Sequence, residues 1–144
     1  MLAITCAAVM ADDARDSASY ESASKGTRQF EWDTATEPGW IKVLVEEANL
    51  GTAGAEVGEV FFPPGWEGDS HYHELEIIYV IEGELEHIVN GETHILTPGM
   101  IGIVRIPDEV IHKTLSDDGA RVLVIWPLGN EVKGLQGMTE TPIK

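Results

Sequence analysis

Short β-rich runs separated by turn signals fill residues 29–128, and this pattern limits the fold more than any other feature of the chain. The strongest turn signal is Asn90-Gly91, because this dipeptide favours the tight type I′ turn of a β-hairpin. Many short strands with frequent turns predict an all-β sandwich or barrel. Residues 77–81 (IIYVI) are apolar throughout, so we expect a central strand that is buried on both faces.

The two ends of the chain differ from this middle part. Residues 12–28 are small and polar, which predicts a flexible N-terminal tail over residues 1–28. Glycine and proline recur near the other end, and we expect a C-terminal tail over residues 131–144. A single β-domain over residues 29–130 remains, which agrees with the usual size of a domain.

The first eleven residues (MLAITCAAVMA) form an apolar run that no Lys or Arg precedes, and the run is too short to span a bilayer. We expect a weakly structured tail on a cytoplasmic protein. The alternative is part of an export signal with a poor cleavage site near Ala11. Cys6, the only cysteine, lies in this run, which excludes an internal disulfide and any multi-cysteine metal site.

The charge of the chain restricts its partners. With 25 acidic and 9 basic side chains, the formal net charge is −16. Nucleic-acid binding depends on clustered Lys and Arg that contact phosphates, so nucleic acid is not expected as a partner. Because no segment suits a membrane span either, we expect a small molecule as the partner.

The residues that carry chemistry are His71-Tyr72-His73, Glu76 and the distant His112. Residues two apart in a strand face the same side, so His71 and His73 can direct two imidazoles at one point. A carboxylate and a third imidazole would complete a set suited to Fe(II), Mn(II), Ni(II), Cu(II) or Zn(II), with coordination positions left open. Imidazole binds metal only when neutral, so binding should weaken below a pH of about 6.5.

The order of residues around this pair resembles the first motif of the cupin superfamily. That motif is Gly, five residues, His-x-His, three or four residues, Glu, six residues, Gly. Residues 65–83 (GWEGDSHYHELEIIYVIEG) match it, except that only two residues separate His73 from Glu76. In the second motif Pro107 and His112 keep their spacing, while Glu109 and Ser116 replace the usual Gly and Asn.

The resemblance implies a single RmlC-like antiparallel β-barrel, the jelly roll or double-stranded β-helix, with one divalent transition metal inside. The ligands it implies are His71, His73, Glu76 and His112, and Fe(II) is the favoured metal. The shortened gap leaves three alternatives open: Glu76 as the carboxylate, Glu74 as the carboxylate, or the three histidines alone. The stretch before Pro107 is about two residues longer than usual, and an even insertion keeps His112 facing inward.

Four further side chains are candidates for the site. His87 shares a strand face with apolar neighbours, so it is either an acid, base or substrate contact in the cavity or a satisfied core histidine. Arg105 could anchor a substrate carboxylate or lie on an outer face. Trp66 could close the cavity mouth or pack in the core. Glu109 could orient His112 or belong to a turn.

These features lead to one main functional hypothesis. We expect a metal-dependent cupin enzyme that acts on a small organic substrate, with an Fe(II) dioxygenase-type reaction favoured. Metal-assisted isomerase, decarboxylase or lyase chemistry would use the same ligands. The alternatives are a non-catalytic sensor or storage cupin and, less favoured because the histidines are kept, a metal-free sugar epimerase-like cupin. A homodimer is also expected, since cupins often pair through strands next to the barrel.

Overall fold

The computed structural model describes residues 25–143. The expectations for residues 1–24, including the export-signal alternative and the place of Cys6, lie outside the described residues. Within 25–143, eleven strands, one short α-helix and one 3-10 helix follow the order β1 (Arg28–Trp32), β2 (Gly39–Val45), α1 (Glu47–Leu50), β3 (Glu56–Phe62), β4 (His71–Tyr72), β5 (Leu75–Glu82), β6 (Leu85–Val89), β7 (Glu92–Leu96), β8 (Ile101–Arg105), β9 (Glu109–Thr114), β10 (Ala120–Trp126), the 3-10 helix (Val132–Gly137) and β11 (Thr139–Thr141).

The strands form two antiparallel sheets that pack face to face. The larger sheet has the order β11-β1-β2-β3-β10-β5-β8, and the smaller has the order β4-β9-β6-β7. Side chains alternate between the core and the outside, as the pleat requires. Val122 and Ile78 of the larger sheet and Leu85 of the smaller are all fully buried. The predicted all-β jelly-roll fold is confirmed, with the core between the sheets.

Glycines occupy the turns where the backbone needs them. Asn90 and Gly91 have φ angles of 52° and 80°, and positive values at both positions are what a type I′ turn requires. The predicted hairpin between β6 and β7 is therefore confirmed. Gly83, which ends β5, has a φ of 76°, and a Cβ there would collide with the carbonyl oxygen of Gly119. Both conditions exclude a larger residue.

The prediction that residues 77–81 are buried on both faces is wrong. Ile78 and Val80 are fully buried, whereas Tyr79 is 41% exposed. The reason is that β5 lies between β10 and β8 in an open sheet, of which only the inner face is covered. Apolar residues on the outer face made an alternating strand look continuous in the sequence.

The prediction of a flexible C-terminal tail is wrong for residues 132–141. Strand β11 pairs with β1, and Val132 in the 3-10 helix is 2% exposed. The backbone N–H of Val132 donates to the Glu56 carboxylate over 2.9 Å. The anchoring contacts come from strands far away in the sequence, so local composition could not predict them. No helix within residues 25–143 is long and apolar enough to cross a membrane.

Candidate metal centre

A cavity of about 510 Å³ opens between the two sheets. Most of its wall is apolar, and four aromatic side chains and two from the C-terminal segment contribute: Trp32, Phe62, Trp66, Trp126, Leu135 and Met138. The wall also carries the four ligands that the family resemblance implies, His71, His73, Glu76 and His112, together with the exposed acids Glu67 and Asp69.

Three separate strands position these four side chains. His71 lies on β4, His112 on β9 and Glu76 on β5, while His73 follows directly after β4. A bend at Glu74 joins β4 to β5 and compensates for the shortened gap in the motif. As a result Glu76 is 3% exposed and faces the cavity. Glu74 is exposed, so Glu76 is the carboxylate that meets the histidines.

Distances within the group are compatible with one shared ion. His73 Nε2 lies 3.2 Å from Glu76 Oε2, and His112 Nε2 lies 3.6 Å from Glu76 Oε1. Two ligand atoms that bind one ion at 2.0–2.2 Å are about 3.0–3.5 Å apart at ordinary coordination angles. The ring centre of His71 lies 4.8 Å from that of His73 and 5.4 Å from that of His112. The three imidazoles and the carboxylate therefore surround one point.

The side chains are not arranged in a coordination geometry. Within residues 25–143, no three His, Cys, Asp or Glu side chains stand in a geometry that would hold an ion as they are. Glu76 contacts His73 directly, and His71 Nδ1 lies 2.8 Å from the Asp69 carbonyl oxygen. Small ring rotations would be needed to admit an ion.

Buried atoms without partners show that the group nevertheless fits a cation. Glu76 Oε1 and His112 Nε2 are fully buried and have no hydrogen-bond partner among the described residues. Buried polar atoms are normally satisfied, since an unpaired one costs about 1–3 kcal/mol. A divalent ion between these two atoms would satisfy both, and neutral imidazoles with one carboxylate suit a transition metal.

Electrostatics keep two of the imidazoles neutral. Burial, and then the neighbouring His87, His71 and His73, hold the pKa of His112 well below its ordinary value. Burial also lowers the pKa of His71, against the raising effect of its bond to the Asp69 carbonyl. A neutral imidazole keeps the lone pair that coordination requires. Both side chains are therefore in the form that binds metal at neutral pH.

Glu131 contacts His73, and no motif in the sequence pointed to it. Glu131 Oε2 lies 3.1 Å from His73 Nδ1, and Glu131 Oε1 accepts the Glu74 N–H over 3.4 Å. A His73 that donates Nδ1–H to this carboxylate presents the lone pair of Nε2 to Glu76 and the cavity. Burial lowers the pKa of His73, but the bond to Glu131 and the charges of Glu76 and Glu131 outweigh it and raise this pKa.

Glu76 also has a partner that the motif did not reveal. Trp126 Nε1 donates to Glu76 Oε2 over 2.9 Å and fixes the carboxylate. Burial raises the pKa of Glu76, although the nearby His73 and this hydrogen bond lower it in part. The only sequence signal for Trp126 was its inward position on an alternating strand. That signal identifies a core residue but not its partner.

His87 lies behind the group rather than in the cavity. It is 2% exposed, its ring centre lies 5.1 Å from that of His112, and it is absent from the cavity lining. Burial, followed by repulsion from His94 and His73, lowers the pKa of His87 to about 4. Neither ring nitrogen has a partner among the described residues. The prediction that His87 acts in the cavity is therefore wrong, and it is not a satisfied core histidine either.

Of the remaining candidates, Trp66 lies on the cavity wall, whereas Arg105 and Glu109 are exposed. Trp66 lines the cavity and stacks on Phe62 with ring centres 4.6 Å apart, so it packs against the core, while closure of the cavity mouth by Trp66 stays a prediction. Arg105 is exposed on β8, where strand alternation turns Val104 inward instead. The prediction that Arg105 anchors a substrate in the cavity is therefore wrong. Glu109 is exposed and accepts the Ser70 hydroxyl, so it does not orient His112.

Comparisons with known proteins agree with this architecture. A family model described as a cupin domain matches residues 58–126. The endoribonuclease YbeY of Myxococcus xanthus is 29% identical over 87 residues, which are 60% of this chain. The chain covers only 29% of that protein's length, so this relative indicates nothing about the activity of the present chain.

Solved structures show the same fold at low identity. A predicted oxalate decarboxylase from Thermotoga maritima has a TM-score of 0.62 at 17% identity, and the match covers 74% of this chain and 96% of that one. The polyketide cyclase RemF from Streptomyces resistomycificus has a TM-score of 0.57 at 22% identity, and the match covers 63% of this chain and 66% of that one. Likeness at this level concerns the fold alone.

The segment matched by the family model runs from β3 to the end of β10 and contains all four side chains of the group. A jelly roll with histidines from β4 and β9 and a carboxylate from β5 is what the two motifs implied. Residues 58–126 of this chain match the cupin domain, and the fold is the RmlC-like jelly roll of the cupin superfamily.

Proposed function

We propose that this protein is a metal-dependent enzyme that acts on a small organic substrate, with His71, His73, Glu76 and His112 as the metal ligands. The observation that carries the proposal is the unsatisfied pair Glu76 Oε1 and His112 Nε2, buried 3.6 Å apart beside His73. Such a pair is costly unless a cation or another donor occupies the gap. Neutral imidazoles and the adjoining cavity favour a transition metal with open positions.

The protein supplies orientation and a dry site around that metal. Bound Fe(II) would supply open coordination positions for a substrate oxygen donor and dioxygen. Glu131 directs His73, and Trp126 holds one oxygen of Glu76. The apolar walls exclude water and leave the histidine side of the cavity as the polar end.

The scarcity of other acids and bases favours a dioxygenase-type reaction. Apart from the four ligands, the titratable side chains on the cavity wall within residues 25–143 are Glu67 and Asp69, both partly or fully solvent-exposed. Isomerase, decarboxylase and lyase reactions usually need a placed proton donor or acceptor. Oxidative cleavage places both atoms of O₂ in the products, with the substrate as the reductant, and asks less of the side chains.

Metal content is the first test of this proposal. Protein purified without added metal should contain close to one transition-metal ion per chain, measured by mass spectrometry of the digested protein. His73→Gln and Glu76→Gln should each lower this content at least about tenfold. His94→Gln, at an exposed histidine on β7, is the matched control. Wild-type metal content in the two ligand variants would refute the proposed site.

A non-catalytic binding protein is the second candidate, and the degenerate second motif, with Glu109 and Ser116 in place of the usual Gly and Asn, favours it. Oxygen consumption separates the two candidates. Iron-loaded protein should consume one O₂ per substrate with a member of a panel of 1,3-diketones, thiol acids and hydroxylated aromatics. No consumption across the panel, with stoichiometric metal, would favour the binding protein.

We also propose that two copies of the chain pair through the outer face of β5 and β8. Ile77 and Tyr79 lie opposite Ile103 and Ile101 there, and this row carries no charge in a chain of net charge −16. Strand β8 is also the edge of its sheet. Light scattering should show a dimer that Ile101→Lys converts to a monomer, with Thr93→Lys as control. A monomeric wild type would contradict the proposal.

A further inference from the structure

Among residues 25–143, the side chains on the cavity wall that carry a full charge at neutral pH without titrating near it are acidic, and none is Lys or Arg. We infer that the substrate is an uncharged molecule with an apolar, ring-sized body and neighbouring oxygen donors, and that the site rejects carboxylates and phosphates. The inference names the substrate class of the enzyme proposed above and rests on that function. Three features carry it: the absence of cations from the described wall, the balance of charge around the ligands, and the aromatic walls.

No Lys or Arg lies on the cavity wall within residues 25–143. The nearest basic side chain in the sequence around the site is Lys113, which follows His112 on β9. Strand alternation turns it outward, and its Nζ pairs with Glu67 Oε1 at 2.7 Å. Arg105 is exposed on the outer face of β8. Sites that recognise carboxylate or phosphate normally use a guanidinium or ammonium group, and the described part of the chain directs none at this cavity.

A bound metal would not make the cavity attractive to an anionic substrate. A divalent ion adds two positive charges, and two carboxylates flank His73 to offset them. Glu76 Oε2 lies 3.2 Å from His73 Nε2, and Glu131 Oε2 lies 3.1 Å from His73 Nδ1. Asp69 adds a further carboxylate at the cavity wall, whereas that of Glu67 is paired with Lys113. An anionic substrate would thus meet no net attraction.

The shape and lining of the cavity describe the rest of the substrate. Phe62 and Trp66 are stacked, and Trp32 lies 6.0 Å from Trp66 between ring centres, so flat aromatic surfaces form one side. Leu135 and Met138 of the C-terminal segment add aliphatic surface. A volume of 510 Å³ holds a one- or two-ring molecule. Its oxygen atoms would turn to the histidines, the polar part of the wall.

A matched pair of ligands tests the inference directly. Ortho-hydroxyacetophenone and salicylate have nearly the same shape and the same two oxygen donors, but salicylate carries a negative charge. Quenching of tryptophan fluorescence reports binding, because Trp32, Trp66 and Trp126 line the cavity. Trp40, which stacks on Phe61 outside the lining, gives a constant background. Zinc-loaded protein avoids oxidation during the titration.

We expect the neutral ketone to bind at least tenfold more tightly than salicylate. The test is conservative, since salicylate is the stronger ligand for a free divalent ion. Met138→Arg should narrow the ratio to below threefold, because Met138 is 37% exposed on the cavity wall and can carry a cation into it. Thr139→Arg, at the next residue and outside the lining, should leave the ratio unchanged.

The outcomes separate this inference from the proposed metal site. Equal binding of the two ligands, tighter binding of salicylate, or no quenching by either would overturn the inference, whatever the metal content. A tenfold preference that persists in metal-free protein would support the inference even if no metal binds. Loss of metal in His73→Gln with no ligand preference in the wild type would support the metal site and overturn the substrate class.

Discussion

The carboxylate of Glu131 should set the metal affinity of this protein although it touches no metal. Glu131→Gln keeps the size of the side chain and removes its charge. The contact it alters is the 3.1 Å contact between Glu131 Oε2 and His73 Nδ1. The neighbouring backbone keeps its own anchor, because Glu56 still accepts the Val132 N–H. The substitution therefore acts on His73 with little effect on the fold.

The size of the effect follows from the role of such contacts. Removing a carboxylate that holds a metal-binding imidazole typically costs 10–100-fold in metal affinity, which corresponds to about 1.4–2.7 kcal/mol. The glutamine oxygen can still accept from His73 Nδ1, so we expect about tenfold weaker binding. Glu131→Ala leaves no acceptor and should approach 100-fold. The order Glu, Gln, Ala is itself part of the prediction.

Competition with a chelator of known affinity measures the metal Kd of each variant. Glu140→Gln, an exposed acid on β11, controls for the loss of one negative charge. The pH dependence gives a second readout. Glu131 raises the pKa of His73, so protons compete with metal more strongly in the wild type as pH falls. The difference between wild type and Glu131→Gln should shrink below neutral pH. An unchanged Kd in Glu131→Gln would refute the reasoning.

Three further predictions concern pH and packing. As pH is lowered, metal should begin to dissociate from the wild type while the pH is still above 6.5, because the pKa of His73 is raised. Below that pKa, chelator competition should show the metal affinity falling about tenfold per pH unit. His87 stays neutral in the folded protein with a pKa of about 4, whereas it is protonated below about pH 6.5 when unfolded, so acid lowers stability. The change in the free energy of unfolding caused by His87→Leu, measured by urea unfolding, should therefore be about 2 kcal/mol more favourable at pH 5 than at pH 8. An equal change at both pH values would contradict this reasoning. Gly102→Ala should lower the free energy of unfolding by about 1–3 kcal/mol in the same assay, because the added Cβ would lie 2.8 Å from Leu96 and 2.9 Å from the His87 ring. A loss below about 0.5 kcal/mol would show that the neighbouring side chains move aside.

Parts of the site follow rules that operate over a few residues. The two-residue spacing of His71 and His73 puts their side chains on the same side. The even insertion before Pro107 left His112 on the inner face of β9. Asn90-Gly91 could form only a narrow set of turns. Such features depend on backbone geometry and strand alternation, both of which can be read locally.

Other parts depend on contacts that no local rule contains. Alternation indicated that His87 faces inward, but only the packing of the sheets decided that inward there means core and not cavity. Arg105 had two open interpretations, and the position of β8 in the sheet decided between them. The partly apolar C-terminal segment became structured through pairing with β1, more than a hundred residues away in the sequence.

The sequence alone determined the class of fold and the side chains that could bind a metal, because the periodicity of strands, the conformations of glycine and the chemistry of imidazole act within short stretches. The tertiary structure alone decided which carboxylate meets the histidines, that Glu131 contacts His73 and Trp126 holds Glu76, and that no Lys or Arg of residues 25–143 lines the cavity. Those outcomes depend on burial and on contacts between distant strands, which exist only after the two sheets have packed together.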